Sequence, residues 1–167
     1  MRFFKKLVEI CCEVSAKIGM LAVFLLLALT VGDVIGRFVF NRPIPGTFEL
    51  IKIVFALSAF FSFPVSQFRG ENLGITLIYD KLPVRLKGIL DFSSALVSLV
   101  MFSIAFQRTL EYATRMKDAN SITSVLRWPM HPWIYIAAQA LLVLVLALLW
   151  DLVVSIKELK GEKIDES

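Results

Sequence analysis

Apolar and charged positions along the chain fall into blocks rather than alternating. Four stretches lack Lys, Arg, Asp and Glu: Ile18 to Gly32 (15 residues), Ile53 to Phe68 (16), Phe92 to Gln107 (16) and Trp128 to Trp150 (23). A helix that crosses a bilayer needs about 20 apolar residues, with a range of roughly 17–25. The fourth stretch qualifies by itself. The others reach that length by continuing past a bounding charge: Val34, Ile35, Phe38, Val39 and Phe40 follow Asp33, while Phe48, Leu50 and Ile51 precede Lys52, and Leu86, Ile89 and Leu90 precede Asp91. Backbone in hydrocarbon must satisfy its own hydrogen bonds, and no strand-like alternation is visible, so each stretch is predicted as helix. The pattern predicts an all-α membrane protein of four transmembrane helices, at about 14–40, 48–68, 86–108 and 130–154, in one domain covering 1–167.

The connections differ in kind. Asn41 to Thr47, with Pro43, Pro45 and Gly46, reads as a tight turn. In the link from 69 to 87, Ile75, Ile78 and Leu82 share a helical face that Pro83 ends, which predicts a short amphipathic helix in the interface between helices 2 and 3. Residues 109 to 131 are mixed and polar and read as a connection, with Ile122, Val125, Leu126 and Trp128 dipping into the interface. Trp128, Trp133, Tyr135 and Trp150 suit aromatic belts at the ends of the last span. The N-terminal basic residues and apolar run lack a small-residue cleavage site, so that segment is expected to be a retained span.

Composition agrees with the pattern. Hydrophobic residues are 57% and charged residues 19%, with a mean hydropathy of +0.75; a soluble domain has about 45–50% and about 25%. The net charge of +4 does not point to nucleic acid, because the basic residues lie between apolar runs, where they set topology and touch anionic lipid. The N-terminal segment, the 69–87 link and the polar tail at 155–167 carry 11 of the 18 Lys and Arg, and the two other connections with their flanks carry 7. That bias places both termini, and the tail, in the cytoplasm.

Chemistry is sparse. Cys11 and Cys12 are adjacent and read as two reduced thiols, and with His131 as the sole histidine no structural zinc site or bis-histidine haem can be completed. No metal, cofactor or catalytic set is expected, so the chain is not read as an enzyme. Asp33 and Arg37 are four apart and Glu49 and Lys52 three apart, so each pair can meet on its helix. These four charges, with Arg42 at the turn, form either an ion or substrate site or a polar cluster that pins the hairpin; the second reading is favoured because charge near a helix end is easily hydrated. Ser58, Ser62 and Ser66 recur on span two, and Asp91, Ser94, Ser98 and Ala105 share a side of span three. No base accompanies these serines, so Ser62 and Ser98 are read as buried helix-packing positions. Pro64 is expected to kink span two, with a neighbouring helix satisfying the freed carbonyl.

Three motifs extend this picture. Arg37-Phe38-Val39-Phe40-Asn41 is followed by Pro45-Gly46-Thr47-Phe48-Glu49-Leu50. Arg69-Gly70-Glu71-Asn72-Leu73-Gly74-Ile75 precedes Leu82-Pro83 and Arg85. The stretch from Ser121 to Tyr135 contains Trp128-Pro129 and Trp133-x-Tyr135. Together they resemble the small membrane subunit of TRAP transporters, the DctQ-like family, over about residues 15 to 155. Asn72 departs from the pattern, standing near where many members carry His.

The resemblance implies an accessory subunit in the bacterial inner membrane. Its partners would be a large M-type permease subunit, which moves an organic acid with sodium, and a periplasmic substrate-binding protein. The small subunit would scaffold the large one and help dock the binding protein. Substrate and sodium ligands would belong to the large subunit. The alternative is a self-sufficient small oligomeric transporter or channel using Glu49 or Asp33 as its coupling group.

Overall fold

The computed structural model describes residues 2–42, 44–69 and 84–159. Four helices are present: α1 (Arg2–Val39), α2 (Thr47–Phe68), α3 (Val84–Asp118) and α4 (His131–Leu159). All four are long and apolar enough to cross a membrane. The expected amphipathic helix between helices 2 and 3 and the tail beyond 159 lie outside the described residues.

Two helices exceed the spans read from hydropathy. At the usual helical rise α1 is about 57 Å long and α3 about 52 Å, against roughly 30 Å of hydrocarbon. Both must tilt or run beyond the apolar layer. The expectation that residues 109–131 form a connection is corrected, since α3 continues to Asp118. Polarity ends a span but not a helix. The extra turns are laced by Arg108–Glu111 at 2.9 Å and Arg115–Glu111 at 3.7 Å, pairs three and four apart. The true stop is Asn120, whose φ of 47° is left-handed. Ser121 N–H then donates to Met116 C=O and Asn120 N–H to Lys117 C=O, both at 3.0 Å, which satisfies the last carbonyls of α3.

The helices pack in the order α1, α2, α4, α3, with α1 along α2, α2 on α4, and α3 chiefly on α4. α4 is the central element. Leu141, Leu144 and Leu148 are buried on it against Phe60 of α2 and Leu99, Phe102 and Phe106 of α3. At the end holding the two termini, Val8 and Cys12 of α1 pack with Ala147 and Trp150 of α4. Trp150 is thus a core residue, its ring 6.1 Å from that of Phe4, and not part of an exposed belt. Its position on the α1-facing side of α4, invisible to hydropathy, decides this.

Two polar contacts tie neighbouring helices together. Ser15 Oγ of α1 donates to Phe61 C=O of α2 at 2.7 Å. Pro64 has no N–H, so the carbonyl of Phe60 loses its usual helical partner; the interhelical bond forms at the adjacent carbonyl. Gln67 Nε2 of α2 donates to Asp151 Oδ2 of α4 at 2.7 Å. The serine positions behave unequally. Ser58 is buried, Ser98 half-buried and Ser62 exposed. Ser62, though partly open, packs its hydroxyl against Gly19 of α1, where a Cβ would come 2.9 Å from its Oγ.

Candidate functional site

The polar residues singled out from the sequence gather at one end of the molecule, where the α1–α2 turn meets the α3–α4 connection. Asp33, one and a half turns before the end of α1, is only 7% exposed. Its Oδ2 accepts from Arg37 Nη2 at 2.8 Å, and its Oδ1 accepts from the Ile44 N–H at 3.1 Å. The carboxylate therefore joins its own helix to the turn that follows. Arg37 stays largely open to the surroundings. The turn doubles back tightly: Arg42 N–H donates to Gly36 C=O at 3.0 Å, with Asn41 at φ 52°. Asn is among the few side chains that tolerate that region.

α2 begins at Gly46, whose φ of 79° suits glycine. The position is doubly constrained, because a Cβ there would overlap the Leu126 side chain. Leu126 belongs to the other connection, which forms a small closed loop. Ile122 and Pro129 are bridged, Thr123 N–H donates to Trp128 C=O at 2.9 Å, and Trp128 N–H donates to Thr123 Oγ1 at 3.1 Å. Arg127 sits at φ 53°. The rings of Trp128 and Trp133 stack with centroids 6.2 Å apart.

Glu49 links the two connections. Its Oε1 accepts from the Val125 N–H at 2.8 Å and its Oε2 from the Leu126 N–H at 3.0 Å. The expected Glu49–Lys52 pair is absent. Glu49 lies in the first turn of α2 on the side facing the loop, where two backbone N–H groups converge on it. Lys52 instead lies over the Phe48 ring, 4.2 Å from its centroid. The structure thus brings Asp33, Arg37, Glu49 and Lys52 to one end together with Arg42, but in two separate bonding units. Ser62 and Ser98 are not part of this cluster.

Both inward carboxylates are occupied by backbone N–H groups. The exposed charged residues around them are mostly basic, with Arg37, Arg42, Lys52, Arg115, Lys117 and Arg127 against Glu111 and Asp118. Large apolar side chains share the surface, with Phe38 84%, Phe48 70% and Val125 58% exposed. Chemically this is a rigid, positively charged platform with an apolar rim. Among the described residues, no three His, Cys, Asp or Glu side chains are grouped as a metal site would require.

Sequence reasoning missed the loop partners of Glu49, the contact of Leu126 with Gly46, and the Gln67–Asp151 bond. No local spacing signals a contact between residues 76 or 84 positions apart.

Comparison with known proteins adds an independent line. Residues 26–158 match the family described as "Tripartite ATP-independent periplasmic transporters, DctQ component". The ectoine TRAP transporter small permease protein TeaB of Halomonas elongata is 29% identical over 118 residues, which is 70% of this chain and 61% of that protein. The chain thus spans somewhat under two thirds of that relative's length.

Proposed function

Given that this chain belongs to the DctQ component family of the tripartite ATP-independent periplasmic transporters, we propose that it is the small permease subunit that scaffolds a larger permease chain and presents a docking platform for a periplasmic substrate-binding protein. Components of this family are parts of a transporter, not enzymes. The protein is multi-pass, with four helices able to span the bacterial inner membrane. In this reading the platform end faces the periplasm and both termini face the cytoplasm, as the bias of Lys and Arg favours. The transported solute is an organic acid moved with sodium, and its ligands lie in the larger chain.

The observation that carries this reading is the engagement of Asp33 and Glu49. Both carboxylates are held by backbone N–H groups that fix the turn and the loop. That supports a structural role over a coupling role, and so favours an accessory subunit over a self-sufficient transporter. It also leaves the outward charge of the platform positive, which suits an acidic face on the binding protein.

Co-expression with the larger permease and the binding protein tests the proposal. The two membrane chains should co-purify, and uptake should require both. Substrate flux into vesicles containing this chain alone would overturn the accessory reading.

A further inference from the structure

The sides of α4 are used unequally. One buries Leu141, Leu144 and Leu148, and another buries Ala147 and Trp150. A third carries Gln139, Leu142, Leu146, Leu149, Val153 and Ile156, spaced alternately three and four apart. That is the a/d spacing of a seam made for a second helix. Gln139, Leu142, Leu149 and Ile156 are exposed, and Leu146 and Val153 only half-buried. Among the described residues, none buries this seam.

Leucines on such a face are at ease in lipid, but Gln139 is not. Its side-chain amide has no hydrogen-bond partner among the described residues. Within the span His131–Ile156 it lies roughly 7 Å from the midpoint along the helix axis. A polar side chain at that depth faces protein, where amides and hydroxyls bond across helices. In helix pairs with this spacing, a single polar a-position residue sets register and partner.

We propose that this seam is the docking face for a transmembrane helix of the larger permease chain, which presents a hydrogen-bonding side chain to Gln139. The proposal rests on the accessory reading above and adds to it which face of which helix makes the contact. The alternating spacing sets the partner helix nearly parallel to α4, crossing at about 20°. The chain is a component of a tripartite system and similar to a protein called a small permease; the larger permease of the accessory reading is the membrane partner that can bring such a helix.

Photo-crosslinking in the intact complex tests the assignment. A benzophenone amino acid replaces Leu142 or Leu149 in the full chain, co-expressed with its partners and irradiated in native membranes. The expected product is an adduct with the mass of this chain plus the larger permease. An adduct of two copies of this chain overturns the proposed occupant. Co-purification without any adduct overturns the seam alone. Failure of the two chains to co-purify overturns the accessory reading together with the seam.

A second measurement isolates the amide. Gln139→Leu should make the complex dissociate at lower detergent concentration, and Gln139→Asn should restore most of the lost resistance. A Gln139→Leu complex as robust as the parent would overturn the polar contact.

Discussion

Glu49 and Leu126 are 77 residues apart, yet the carboxylate of one accepts the backbone N–H of the other at 3.0 Å. The Leu126 side chain meanwhile covers Gly46, three residues before Glu49. The two bonds of Glu49 and this one side chain hold the α1–α2 turn against the α3–α4 loop. α3 packs chiefly on α4, so the clamp joins the two halves of the molecule at the platform end.

Removing the carboxylate should open the loop locally. Glu49→Ala is expected to speed hydrogen exchange at the Val125 and Leu126 amides, with smaller effects elsewhere. Glu49→Gln keeps one good acceptor oxygen and should show an intermediate effect. Exchange measured by mass spectrometry on the purified complex checks this, and unchanged protection of the 122–128 peptide would refute the clamp.

Gly46→Ala faces two penalties at once, a left-handed φ and overlap with Leu126. The expected loss of stability exceeds about 1 kcal/mol, the strain of the backbone region alone. Trimming the neighbour as well, in Gly46→Ala/Leu126→Ala, should recover part of the lost thermal stability. A double variant no more stable than the single one would show that the backbone conformation alone matters.

Ser15→Ala deletes the hydroxyl that bonds Phe61 C=O across the α1–α2 contact. Interhelical hydrogen bonds in membranes contribute on average about 0.6 kcal/mol, with a maximum near 1.7. A drop in melting temperature of a few degrees in detergent is expected. Ser62→Ala lies at an exposed position and bonds only within its own helix, to Ser58 C=O; it should be close to neutral.

Charge reversal tests the platform. Arg42→Glu combined with Arg115→Glu should leave assembly with the larger permease intact. Uptake should slow when binding protein is limiting and recover when it is saturating. The deficit should shrink as ionic strength rises, because exposed charges are screened beyond about 10 Å at 0.1 M salt. Equal slowing at every binding-protein concentration would point away from docking.

Sidedness is open to labelling. A cysteine at Ser124, in the loop held by Glu49, should react with an impermeant thiol reagent from the periplasm in a background lacking Cys11 and Cys12. A cysteine at Lys5 should react only after the membrane is permeabilised. The reverse pattern would invert the proposed orientation.

The sequence by itself determined the four helices, because lipid leaves an apolar backbone no other way to satisfy its hydrogen bonds. It also determined the Asp33–Arg37 contact, since a spacing of four on one helix puts two side chains side by side. These are local facts, set by composition and by a period of 3.6 residues. Tertiary structure alone decided which side of each helix meets which neighbour. Glu49 turned from Lys52, its partner by spacing, to two amides in a distant loop because that loop presents converging N–H groups to the start of α2. Trp150 entered the core because its side of α4 meets Val8 and Cys12 of α1, a choice hidden from hydropathy because each face of a uniformly apolar helix looks alike to it. α3 outran its span because polarity ends a hydrophobic run without breaking a helix, and the exposed Arg108–Glu111 and Arg115–Glu111 pairs add weak local support. When nearly every residue of a span is apolar, burial carries no periodic signature, and only the packed arrangement of the helices distinguishes core from lipid-facing surface.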